Sequence, residues 1–283
     1  MARPTRRRVG VVLAAVLLLA GCSERHRSDE VVVGAGMDRE SAVLGAVYAA
    51  ALRYYGADAR VVQAPDPVTE LDTGKVDVVP GFTGRLLQRF APGSAANPSK
   101  DVYRAMVAAL PEGVAAGDYA MAAEDTPTAV VTDATALAWG GRDSAALVRR
   151  CAQVVAGTTA GTKPPGTIDT CKLPPPREYP TDTALFDALQ SGQVNVAWTT
   201  AADPGIPRDA TVLAEADPPM IQAENVVPLY RRNGLSEQQI LAINQVAGEL
   251  DTAALADMRR QVAQGRDPRQ VADSWLALHP LGR

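Results

Sequence analysis

Apolar residues along this chain fall in short blocks whose spacing switches between strand and helix periods. Val31-Val32-Val33 is a continuous apolar run closed by Gly34-Ala35-Gly36, which predicts a buried strand. Asp38 can cap the helix after it, in which Val43, Val47, Ala50, Ala51 and Tyr54 share one face and Gly56 ends the run. Arg60-Val61-Val62 predicts the next strand. Asp66-Pro67 opens a short helix, with Asp as cap and Pro at the first position, and Gly74 stops it. Lys75-Val76-Asp77-Val78-Val79 predicts a strand, and Pro80-Gly81-Phe82-Thr83-Gly84 a turn. This alternation argues for an open α/β sheet with helices on its faces.

The pattern then recurs. Asp182-Thr183 opens a second short helix with Leu185, Phe186 and Leu189 on its apolar face, and Gly192 stops it. Gln193-Val194-Asn195-Val196-Ala197 predicts a strand, with Trp198-Thr199-Thr200 at its end. This segment matches Gly74-Lys75-Val76-Asp77-Val78-Val79 in apolar pattern, in the stopping glycine and in an aromatic plus threonine just past the strand. One structural unit used in each of two lobes is the reading. Ligands of open α/β sheets bind outside the carboxyl ends of strands. Phe82-Thr83 and Trp198-Thr199-Thr200 would then line a shared cleft.

The last sixty or so residues read as helices. Ser236 and Gln239 form a capping box before Ile240, Ile243, Val246 and Leu250. Asp251 and Asp267-Pro268 open two further helices, in which Trp275 reads as packing and His279 as surface. Asn225-Val226-Val227-Pro228-Leu229-Tyr230 reads as a strand returning to the first lobe.

The N-terminus reads as targeting sequence. Arg3, Arg6, Arg7 and Arg8 precede an apolar run from Val9 to Ala20. At about twelve residues it is too short for a permanent membrane span. It ends in Leu19-Ala20-Gly21-Cys22, the form of a bacterial lipobox, so residues 1–21 read as a lipoprotein signal peptide and Cys22 as the diacylated first residue. Residues 22–29 form a polar tether that contains His26. An extracytoplasmic, membrane-anchored protein is the expectation.

Composition narrows the chemistry. The chain has 283 residues, 47% hydrophobic and 21% charged, with a net charge of −4, so there is no basic excess for nucleic-acid binding. Removing residues 1–21 takes four arginines with it and leaves a still more acidic body, which together with the anchor predicts a monomer. In an exported chain the remaining Cys151 and Cys171 predict a disulfide. The two histidines, His26 and His279, lie near the termini, so no Ser-His-Asp set can be built. Gly34-Ala35-Gly36 lacks the third glycine and lysine of a phosphate loop, and neither a metal-ligand cluster nor a cofactor motif is present. The chemistry points away from an enzyme. Asp203-Pro204-Gly205 reads as a turn.

Together these stretches resemble the substrate-binding proteins of ABC importers for glycine betaine, choline, carnitine and proline. The resemblance rests on Val33-Gly34-Ala35 with Glu40-Ser41, on Gly74 to Gly84, on Asp118-Tyr119-Ala120-Met121, on Phe186 to Asn195 and on Val226-Val227-Pro228. The stretch 74–84 looks like the family's Gly-x-x-Asp-x-Tyr-Pro-Glu-Tyr-Thr-Gly, with Val79 and Gly81 in place of its first Tyr and its Glu. The family's Pro-Tyr near the return crossing reads here as Pro218-Pro219-Met220-Ile221. The resemblance implies a two-lobed, type II periplasmic-binding-protein-like α/β fold, with lobe one at 30–118 plus 226–283 and lobe two at 119–225. It implies a small-molecule ligand, such as glycine betaine or another quaternary amine, and delivery to an ABC permease and ATPase. In the family an aromatic cage holds the trimethylammonium group by cation–π attraction. Carried over, the ligand-binding candidates are Phe82, Thr83, Tyr119, Trp198 and Thr199, with Glu40, Ser41, Asp118 and Phe186 beside them. Glu40 and Asp118 read equally as caps or solvated charges, and Phe186 as core. The departures from the motif leave an alternative: a cell-envelope lipoprotein that keeps the fold for protein or wall interaction.

Overall fold

The structure, a computed structural model, describes residues 30–160 and 162–282. Cys22 and His26 lie outside the described residues. The chain begins with β1 (Val31–Ala35), α1 (Arg39–Tyr54), β2 (Ala59–Gln63), α2 (Pro67–Asp72), β3 (Val78–Phe82), α3 (Thr83–Phe90), α4 (Ser99–Ala109) and β4 (Val114–Ala116). It crosses to β5 (Pro127–Thr132), α5 (Asp133–Trp139), α6 (Ser144–Arg149), β6 (Ala156–Thr159), β7 (Thr167–Ile168), β8 (Cys171–Lys172), β9 (Arg177–Tyr179), α7 (Asp182–Gln190), β10 (Val196–Thr200) and β11 (Ala210–Val212). It returns through β12 (Val226–Arg231) and ends in α8 (Glu237–Glu249), α9 (Thr252–Ala263) and α10 (Pro268–Leu278).

Two five-stranded sheets result, in the orders β2-β1-β3-β12-β4 and β11-β5-β10-β6-β9. In the first, β1 pairs in parallel with β2 and β3, while β12 is antiparallel to β3 and β4. In the second, β10 runs parallel to β6 and antiparallel to β5. Each sheet therefore mixes parallel strands with one reversed neighbour. Apolar clusters cover both faces of each sheet. On the first, α1 and α8 to α10 pack one side around Tyr48, Ile243 and Met258, and Leu71, Leu87 and Met106 fill the other. The second has Trp139, Leu147 and Trp198 on one side and Leu185, Phe186 and Leu189 on the other.

Local signals sit where the sequence put them. The Asp38, Asp66, Asp251 and Asp267 carboxylates accept from the first-turn amides of α1, α2, α9 and α10, and Ser236 with Gln239 makes the capping box of α8. Such caps contribute about 1 kcal/mol each. Gly74 and Gly192 hold φ of +76° and +73°, the left-handed exits that only glycine adopts without strain. Thr181, one residue before the predicted start, caps α7.

The strands are shifted from expectation. The stretch predicted to turn at Pro80 stays extended to Phe82, and the strand predicted to end at Ala197 runs to Thr200. Both begin three residues late because the residues after each glycine first lead the chain back to the sheet. The antiparallel partners β12 and β5 then carry pairing onward to Phe82 and Thr200. The two crossings pair with each other: Asp125 donates its backbone N–H to Glu224 O at 2.8 Å, and Val226 to Ala123 O at 3.0 Å. A short ribbon thus joins the lobes.

Cys151 and Cys171 form a disulfide with Cα atoms 5.5 Å apart, closing a loop that carries β6 and β7. No helix among the described residues is long and apolar enough to cross a membrane.

Candidate functional site

A cavity of about 1090 Å³ opens between the two sheets. Its walls come from the residues just past the carboxyl ends of β1, β3, β6 and β10, where the α/β rule places ligands. A second hollow of about 620 Å³ lies at the opposite, amino ends of β1 and β3, around Val31, Tyr55 and Asp77, and is lined by the first lobe alone.

The first-lobe wall of the cleft carries a closed network of charge. Arg85, on α3, donates from Nη1 to Glu40 at 3.1 Å and from Nη2 to Asp125 at 2.8 Å. Arg259, on α9, donates to the other Asp125 oxygen at 2.8 Å and lies 3.5 Å from Glu40 Oε1. Asp125, in the first crossing segment, has a side chain only 1% exposed. Burial alone would push its carboxyl up; the hydrogen bond with Glu40 and the two arginines outweigh this and hold it below the ordinary range. Burial, then the facing Asp125 charge, push Glu40 up to about 7. Glu224, in the second crossing, accepts from the Arg85 backbone N–H at 2.8 Å, yet burial pushes it up to about 7.

The second-lobe wall is built differently. Thr159, Thr181, Thr199 and Thr200 present hydroxyls, Asp182 and Asp203 present carboxylates, and Lys163 adds an ammonium. Thr199 donates to Asp203, which also accepts from Gly205 N at 2.7 Å. Burial, then the Asp203 charge beside it, raise Asp182.

Of the sequence candidates, Glu40 and Thr199 line the cleft. Strand alternation explains where the others go. On β10, Thr199 faces the cleft, whereas Trp198 turns to the opposite side, 1% exposed in the lobe-two core. Phe82 ends β3 at 4% exposure, covered by the Arg85 guanidinium 4.4 Å from its ring centroid. Thr83 is fully buried; its Oγ1 accepts from Asn225 N at 3.0 Å, fixing the start of α3 to the return crossing. Ser41 bonds the cap Asp38. Asp118 is exposed, and its backbone N–H donates to Asn244. The Tyr119 ring lies 4.7 Å from that of Tyr103, both packed against the first-lobe cluster of Leu87 and Met106. Phe186 is buried with Leu185 and Val194. Among the described residues, no Phe, Tyr or Trp lines the cleft.

Arg85, Asp125, Asp182, Asp203, Glu224 and Arg259 were not anticipated. Arg85 directly follows the 74–84 motif and Asp182 opens a predicted helix, so both had a positional signal; Arg259 had none. Asp203 lies in the expected turn and also faces the cleft.

The family model for the substrate-binding domain of ABC-type glycine betaine transport systems matches residues 29–278. The chain belongs to this family. The family is one of transport substrate-binding domains. Ligand-free YehZ of Escherichia coli superposes with a TM-score of 0.70 at 20% identity, over 89% of this chain and 99% of that one. The crystal structure of a glycine betaine/carnitine/choline ABC transporter gives 0.74 at 16%, over 88% and 98%. Lactococcal OpuAC, closed on glycine betaine, gives 0.51 at 14%, over 89% and 96%. These likenesses establish the type II binding-protein fold. No curated protein matches the sequence.

Proposed function

We propose that this chain is an extracytoplasmic solute-binding lipoprotein, exported by residues 1–21, anchored through a diacylated Cys22, and handing a small charged molecule to an ABC permease and ATPase. The observation that carries this is the cleft of about 1090 Å³ whose walls come from both lobes and whose hinge is the paired crossing at Asp125 and Glu224. Closure would bury a solute between the walls and exclude water, which strengthens every polar contact to it. The family description makes glycine betaine the reference solute. The acidic body and lipid tether suit a monomer that meets its permease on the membrane surface.

The test is a thermal-shift and small-angle-scattering screen of the purified protein with betaines, choline, carnitine, amino acids and amines. A solute at about 100 times its Kd should stabilise the protein by about 2.7 kcal/mol. One that raises Tm and also reduces the radius of gyration supports delivery. No change in either across the screen would favour the alternative, an envelope lipoprotein that uses the fold for protein or wall contact. That alternative draws on the absence of aromatic lining in the cleft.

A further inference from the structure

The two walls of the cleft differ in kind. The first-lobe wall carries Arg39, Arg85 and Arg259, with Glu40 and Asp125 held between the latter two. The second-lobe wall offers Asp182 and Asp203 among threonine hydroxyls, with Lys163 as its one cation among the described residues, so its carboxylates outnumber its cations two to one. Among the described residues neither Asp182 nor Asp203 belongs to an ion pair. The two lie side by side: a methyl group placed on Gly205 would sit 3.0 Å from Asp182 Cβ and 3.1 Å from Asp203 Oδ1.

We infer that the cleft takes a small zwitterion whose cationic end bears N–H groups, with its ammonium against Asp182 and Asp203 and its carboxylate toward Arg39, Arg85 and Arg259. The inference rests on the solute-binding reading and names its substrate class. A trimethylammonium group has no N–H to give and is recognised by aromatic faces, which the described residues of the cleft do not offer. The one aromatic face that the 74–84 motif delivers, Phe82, is already covered by the Arg85 guanidinium. Carboxylates and hydroxyls desolvated by closure need donors, and leaving them unmet is costly. A primary or secondary ammonium supplies two or three. The guanidinium groups opposite match a carboxylate in the same way.

Calorimetric titration with matched pairs tests this: glycine against glycine betaine, and proline against proline betaine. The expected result is that at least one free amine binds, and at least tenfold tighter than its methylated counterpart. Asp182→Asn should weaken that amine at least tenfold while leaving the far-UV spectrum and Tm of the free protein unchanged. Asp203→Asn is the second variant, with the same expected loss. Tighter binding of a methylated member overturns the inference and leaves the solute-binding reading standing. Free-amine binding unaffected by both substitutions overturns the placement and therefore the inference. No binding by any member of the pairs or of the wider solute screen overturns both readings.

Discussion

The guanidinium of Arg85 lies 4.4 Å from the ring centroid of Phe82. A cation–π contact of this kind contributes about 0.5–2 kcal/mol. Here the cation belongs to the chain, and the same group bonds Glu40 and Asp125. One side chain thus covers an aromatic face and neutralises a buried carboxylate. Arg85→Ala should destabilise the fold by about 1–3 kcal/mol, the cost of a buried acceptor losing a partner, softened because Arg259 still holds Asp125. Urea denaturation measures it. A loss below a few tenths of a kcal/mol would mean that solvent already screens the pair, as for ordinary surface ion pairs.

Glu224 sets a pH dependence. Its folded-state pKa is raised from 4.5 to about 7, chiefly by burial, so the folded chain holds this proton more tightly than the unfolded one. Its stabilising contribution is complete below 4.5 and is lost as pH rises through about 7; Glu40 acts in the same direction. Tm should therefore fall between about pH 5 and about pH 8. Glu224→Gln, which can still accept from the Arg85 amide, should flatten that fall. An unchanged slope would show that Glu224 keeps its charge when folded.

The disulfide should matter for stability. Cys151 and Cys171 are 20 residues apart, and closing such a loop restricts the unfolded chain by about 3 kcal/mol. The double Cys→Ser variant should unfold at correspondingly lower urea, with no change in the cleft. Equal midpoints for the two proteins would place the loop's order in the packing of its own Ile168 in the cluster with Trp198 and Leu173 instead.

The lipid anchor has a direct readout. Cys22→Ala removes the thiol that would be diacylated, and the protein should shift from the membrane fraction to the soluble extracytoplasmic one. Retention on the membrane would refute anchoring through Cys22.

Much of the fold could be read along the chain because its signals are local. A cap such as Asp38 acts three residues away on Ser41, a stopping glycine such as Gly74 acts on its own φ, and an apolar run such as Val31 to Val33 needs only burial to become a strand. The repetition of helix, glycine and strand at 67–82 and 182–200 gave the two-lobed architecture for the same reason. The cleft was less legible. Strand ends depend on pairing partners far along the chain, so a shift of three residues decided that Thr199 faces the cleft and Trp198 the core.

By itself, then, the sequence determined the alternating elements, the pairing of the two cysteines and the family, all of which rest on nearby residues or ordered motifs. Tertiary structure alone decided the lining. Arg85 meets Asp125 from 40 positions away, and Arg259 meets it from 134. No periodicity links residues at such separations; only the crossing of the chain between lobes brings these charges together, and burial there gives Glu40 and Glu224 their raised pKa values.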